Sequence, residues 1–107
     1  MGLLDRFKRS EPGNVTFYLY FPSQQAADDA AAQARELGLA AQTPGPDLEY
    51  LEEEPDDPMP WPVICEWRSG SQVLDSPGKA RASLRSIAKA NGGQYDGWAA
   101  GIDADAN

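Results

Sequence analysis

Histidine is absent from this chain, and cysteine occurs once, as Cys65. Without an imidazole no ordinary Ser-His-Asp or Cys-His nucleophile can be assembled, and no serine lies in a nucleophile-elbow pattern. A lone thiol excludes an intrachain disulfide and, with no histidine beside it, the usual Cys/His zinc site. Cys65 falls within an apolar strand pattern, where a free thiol acts as a small hydrophobe; cytoplasm is the expected compartment. Long apolar runs are also missing. The strongest, Val15 to Phe21, is far too short to span a bilayer. The opening residues Met1 to Arg9 have basic side chains but no apolar segment or small-residue cleavage site, so no secretory signal is expected. Arg6 stands where a myristoylation pattern needs Ser or Thr. Neither a calcium loop nor a phosphate-binding glycine loop occurs. The expectation is a protein without catalytic residues, metal, cofactor or membrane association.

Basic residues are scarce: nine Lys and Arg stand against 17 Asp and Glu, for a net charge of −8. The imbalance is local. Asp47, Glu49, Glu52, Glu53, Glu54, Asp56 and Asp57 lie between Pro44 and Trp61 with no base among them, while the rest of the chain carries ten acids and nine bases. Such a field opposes the counterion release that drives binding to phosphates, so direct contact with nucleic acid is not expected. A basic protein is the natural complement. The segment reads equally as a solvated linker that aids solubility, or as an acidic decoy for a surface that otherwise binds RNA.

What is present is a clear alternation of elements. Val15, Phe17, Leu19 and Phe21 share one face of a strand, with Thr16, Tyr18 and Tyr20 on the other, and Pro22 ends it. Ser23 caps a helix expected over 24–37, with Asp28 and Asp29 near its positive end, an alanine stripe (Ala27, Ala30, Ala31, Ala34) and Gly38 as its stop. Residues 39–43 form a weak strand candidate. Five prolines between 44 and 60 break continuous pairing, so 44–60 is an insertion in which Leu48-Glu49-Tyr50-Leu51 can form a strand or a helical turn. Residues 61–68 form a second firm strand, with Trp61, Val63, Cys65 and Trp67 opposite Ile64, Glu66 and Arg68. Ser69-Gly70-Ser71 reads as a turn. Ser76-Pro77 opens a helix to about Ala90, which Asn91-Gly92-Gly93 stops. A last strand is expected over 98–102. The order β-α-β-β-α-β predicts an α+β, ferredoxin-like βαββαβ sandwich, an antiparallel four-stranded sheet with two helices on one face. On this reading 1–14 is a flexible tail, 15–102 a single domain with the acidic, Pro-rich insertion at 44–60, and 103–107 a C-terminal tail.

With the helices on the Val15/Phe17 face, Tyr18 and Tyr20 point to the uncovered side of the sheet, joined by Glu66 and Arg68. Tyrosines there serve either as cross-strand partners or as a binding face. An aromatic sheet face also occurs in RNA-recognition modules, but their basic-aromatic run is absent. The candidate partner-binding residues are therefore Tyr18, Tyr20, Glu66 and Arg68 for contact, and Glu52, Glu53 and Glu54 for steering.

One block carries more than a generic loop needs: Gly92-Gly93-Gln94-Tyr95-Asp96-Gly97-Trp98, directly after a helix. Its residues suit a structural role, with the glycines ending the helix, Asp96-Gly97 making a turn or bulge, and Tyr95 and Trp98 closing the core. Together with Tyr18-Leu19-Tyr20-Phe21-Pro22, the helix from Ala26 to Leu39 and the Trp-containing middle strand, it resembles the family of the bacterial regulator of ribonuclease activity B. The resemblance implies a single ferredoxin-like domain without catalysis of its own. Such a domain binds the noncatalytic, RNA-binding and scaffold portion of ribonuclease E and restrains RNA cleavage. Longer family members have an acidic N-terminal portion, whereas here the acids lie mid-chain. The competing expectation is a small-molecule sensor that uses the same sheet face as a pocket wall, in a dimer or alone.

Overall fold

The computed structural model describes residues 14–70 and 73–100. Residues 1–13 of the expected tail at 1–14, the expected tail at 103–107, Ser71 of the expected turn, and the end of the expected last strand lie outside the described residues. β1 (Val15–Phe21), α1 (Gln24–Glu36), β2 (Ala40–Gln42), α2 (Leu48–Glu53), β3 (Trp61–Trp67), α3 (Pro77–Ala90) and β4 (Gln94–Ala100) follow in chain order. The strands form one sheet in the order β2-β3-β1-β4, and all neighbours are antiparallel. This is the ferredoxin-like α+β arrangement, with one short additional helix, α2.

Each long helix begins and ends on local chemistry. The Ser23 hydroxyl accepts from the Ala26 N–H at 3.1 Å, and the Ser76 hydroxyl from the Lys79 N–H at 3.2 Å, with Pro77 in the first turn. Both helices end in the same motif. In α1 the Leu39 N–H reaches the Ala34 carbonyl and Gly38 that of Arg35; in α3 Gly93 reaches Ala88 and Gly92 reaches Lys89. Leu37 is thus the cap of α1 rather than part of it, one residue short of the expected end. Asp28 and Asp29 lie beyond the first turn, where the helix dipole has little hold on them.

The core lies between the sheet and the two long helices. Val15, Phe17, Leu19 and Phe21 are buried, as are Val63, Cys65 and Trp67 of β3. They meet Ala27, Ala30, Ala31 and Ala34 of α1, and Ala80, Leu84, Ile87 and Ala88 of α3. The four alanines bring the α1 backbone close to the strands, so bulk comes mainly from the sheet side. Trp67 closes one end by donating its indole N–H to the Leu74 carbonyl at 2.7 Å.

Two boundaries differ from the sequence reading. β4 starts at Gln94, not Trp98, because a bulge absorbs Asp96: Leu19 opposes Tyr95 while Tyr18 opposes Gly97. Pairing with β1 therefore continues through the Asp-Gly pair. β3 ends at Trp67, leaving Arg68 beyond the strand.

Candidate partner-binding face

Alternation along β1 sends Tyr18 and Tyr20 away from the helices, where both are half-buried. Ile64 and Pro62 oppose them on β3, and Gln94 opposes Tyr20 on β4. The insertion does not hang free of this face. Pro44, Asp47, Tyr50, Asp57 and Met59 share with Tyr18, Tyr20, Ile64 and Asp96 the lining of a solvent-open groove of about 710 Å³. Sheet and insertion together make the site.

Asp47 decides the form of the insertion. Its carboxylate accepts from the N–H groups of Glu49 at 3.0 Å and Tyr50 at 3.2 Å, which caps the six-residue α2. No residue of α2 is buried, so capping rather than core packing holds it. Farther along, the Asp57 carboxylate accepts from the Met59 N–H at 2.8 Å. It also takes the Tyr50 hydroxyl hydrogen bond, which raises the Tyr50 pKa above its ordinary value. Desolvation raises that of Tyr20, and the nearby charges of Asp96 and Asp57 add to the effect. Three tyrosines and three aspartates, drawn from β1, the insertion and the β4 bulge, thus converge.

The sequence-predicted contact residues divide. Tyr18 and Tyr20 line the groove; Glu66 and Arg68 do not. The Arg68 guanidinium is engaged with Glu66 at 3.0 Å, and Asn14 donates to the other Glu66 oxygen at 3.3 Å. That pair lies at the other end of β3, beside Arg35, Ala40 and Val73. Glu52, Glu53 and Glu54 are exposed and outside the groove lining. Of the other groove residues, Asp47, Tyr50 and Asp57 were not among the expected contacts, and Asp96 was expected only as part of a turn or bulge. Only Asp47 left a local signal, as a cap residue ahead of Leu48-Glu49-Tyr50-Leu51.

The glycine-aromatic block also divides. Tyr95 lies under α3, with its ring 6.3 Å from that of Phe17 and the Arg85 guanidinium 5.3 Å above it. Its buried hydroxyl has no hydrogen-bond partner among the described residues. Trp98, expected to close the core, is 52% exposed. It lies on the edge strand beside the first turn of α3, over a small hollow lined by Val15, Phe17, Pro77 and Arg81. Among the described residues no further element covers that edge.

A family model described as regulator of ribonuclease activity B matches residues 5–99. The chain belongs to this family. No curated protein and no solved structure matches it. The match spans both halves of the fold, the insertion and the glycine-aromatic block, so the groove is built wholly within the family region. The family is one of regulators of ribonuclease activity. Among the described residues of this family member, no helix is long and apolar enough to cross a membrane. Likewise, no group of three His, Cys, Asp or Glu side chains among them is placed to hold a metal ion. Cys65 is fully buried, and desolvation pushes its thiol up to about 12, so it is a packing residue at neutral pH.

Proposed function

We propose that this protein regulates RNA degradation by binding ribonuclease E through its noncatalytic, RNA-binding and scaffold region, and that it does so without catalysis of its own. The observation that carries the reading is the position of the acid-rich insertion across the sheet face that the long helices leave uncovered. A basic, RNA-binding surface is the complement of such a face, and an acidic protein seated on it competes with RNA for the same cations. Bases gather elsewhere: Lys79, Arg81, Arg85 and Lys89 lie on α3, a helix without a single acid. The basic stripe of α3 thus lies on the side of the sheet away from the acid-rich insertion, with Asp28, Asp29 and Glu36 on the neighbouring α1, and would orient the protein on a cationic partner.

The test is a binding titration against ribonuclease E of the same organism, read beside cleavage of a short RNA. Saturable binding with slowed cleavage, and no binding to the RNA itself, is the expected result. No binding even at low salt would overturn the assignment.

A second reading has one specific observation in its favour. The groove volume of about 710 Å³ falls within the range of small-molecule sites. A sensor would show a ligand-dependent rise in melting temperature in the absence of any protein partner.

A further inference from the structure

We propose that the groove between sheet and insertion is a receptor for an arginine side chain on an extended segment of the partner protein. Tyr18, Tyr20 and Tyr50 supply its aromatic walls, and Asp47, Asp57 and Asp96 its counter-charges. The inference rests on the reading of the chain as a binder of a basic partner and deepens it by naming the side chain and its contacts.

Three features of the groove select this occupant. Among the described residues its lining holds three carboxylates and no Lys or Arg. The carboxylates come from separate elements and so surround the space instead of forming one patch: Asp47 caps α2, Asp57 ends the turn after it, and Asp96 occupies the β4 bulge. Asp57 is already oriented by the Met59 N–H. A carboxylate offers about four acceptor positions, so it retains capacity for a guanidinium.

The tyrosines narrow the choice among cations. A guanidinium is planar and weakly hydrated, stacks on aromatic faces and forks onto carboxylates, whereas an ammonium is compact and holds its water. Among the described residues a phosphate would meet three negative charges and no cation, which disfavours RNA as the occupant. The groove is open to solvent along the sheet, which suits a stretch of chain presenting a side chain inward.

The test uses the full chain and a fluorescent peptide of alternating arginine and glycine, with a matched lysine peptide. Wild type is compared with the Asp57→Asn/Asp96→Asn double variant and the Glu52→Gln/Glu53→Gln/Glu54→Gln triple variant, each shown to be folded by its melting curve. Asparagine keeps the acceptor oxygen that Met59 uses, so the double variant removes charge and leaves the turn in place. The expected results are amide NMR shifts centred on Tyr18, Tyr20 and Tyr50, affinity at least about tenfold weaker in the double variant, and weaker binding of the lysine peptide. The triple variant should keep its affinity at high salt. Equal affinity of wild type and double variant, or equal binding of the two peptides, would overturn the proposal. The same proteins titrated with ribonuclease E separate the two claims. Full binding by the double variant would sink the groove and leave the partner standing. Groove binding of the peptide without any binding of ribonuclease E would do the reverse.

Discussion

Gly93 lies against the ring of Phe21 with no room for a side chain. A Cβ there would enter the van der Waals shell of that ring and come within 2.5 Å of the Tyr20 carbonyl oxygen. The last residue of the α3 stop therefore packs directly on the end of β1. Its neighbour Gly92 has a different constraint, a φ of +74° with open space around it. One glycine serves packing and the other backbone conformation.

Gly93→Ala should cost about 1–3 kcal/mol through overpacking, lowering the melting temperature by something on the order of 10 °C. Gly92→Ala should cost roughly 1–2 kcal/mol from the left-handed backbone alone. Gly92→Asn should recover part of that, because asparagine tolerates this region; Gly93→Asn should recover nothing. Thermal melts of the four variants decide the matter. A rescue by asparagine at position 93 would contradict the packing argument.

Tyr95 offers a test of the same block at its other end. Its hydroxyl is buried without a hydrogen-bond partner among the described residues, while its ring contacts Phe17 and Arg85. Removing an unsatisfied polar atom relieves a desolvation cost, so Tyr95→Phe should be neutral or stabilising by up to about 1 kcal/mol. Tyr95→Leu should destabilise by about 1 kcal/mol or more through loss of ring contacts. A clear loss of stability in the Phe variant would mean that the hydroxyl has a partner after all.

These residues mark how far the sequence alone could be read. The double glycine was legible as a helix stop because that depends on neighbouring backbone, but the contact of Gly93 with Phe21 joins residues far apart in the chain. Ser23, Ser76-Pro77 and the alternation of Val15 to Phe21 were legible for the same local reason. Leu48 to Leu51 fitted strand and helix alike until the Asp47 cap selected the helix. The groove was the least accessible part. Alternation places Tyr18, Tyr20 and Glu66 on one sheet face, yet only the path of the insertion determines which end of that face it crosses. Trp98 misled because an aromatic at a core-facing register position is ordinarily covered, whereas here it lies on an edge strand beside the start of α3.

Cys65 predicts a pH dependence of stability. Burial raises the thiol from its ordinary value of 9.0 to about 12, with Arg35 pulling weakly the other way. The unfolded chain thus loses this proton near pH 9, while the folded chain keeps it until about pH 12. The contribution is complete below pH 9 and is lost as pH rises toward 12, at up to about 1.4 kcal/mol per pH unit. Tyr20 and Tyr95, both raised mainly by burial, act in the same direction. Urea unfolding at about pH 8 and about pH 10.5 should show a steeper loss in wild type than in Cys65→Ala. Identical slopes would remove the thiol as the source.

Glu52, Glu53 and Glu54 test the division between steering and contact. They end α2, where the helix dipole is negative and no basic residue lies in the last turn. Since they are exposed and outside the groove, they should act over the distance that salt permits, about 10 Å at moderate ionic strength. Replacing all three by glutamine should slow association with a basic partner about three- to tenfold at low salt, flatten its salt dependence and leave dissociation almost unchanged. Neutralising Asp57 and Asp96 should show the opposite balance, a faster dissociation that persists at high salt. Stopped-flow association across a salt series reads both quantities. If the triple variant changed dissociation and left association untouched, the insertion would be holding its partner through these glutamates, and contact rather than steering would be their role.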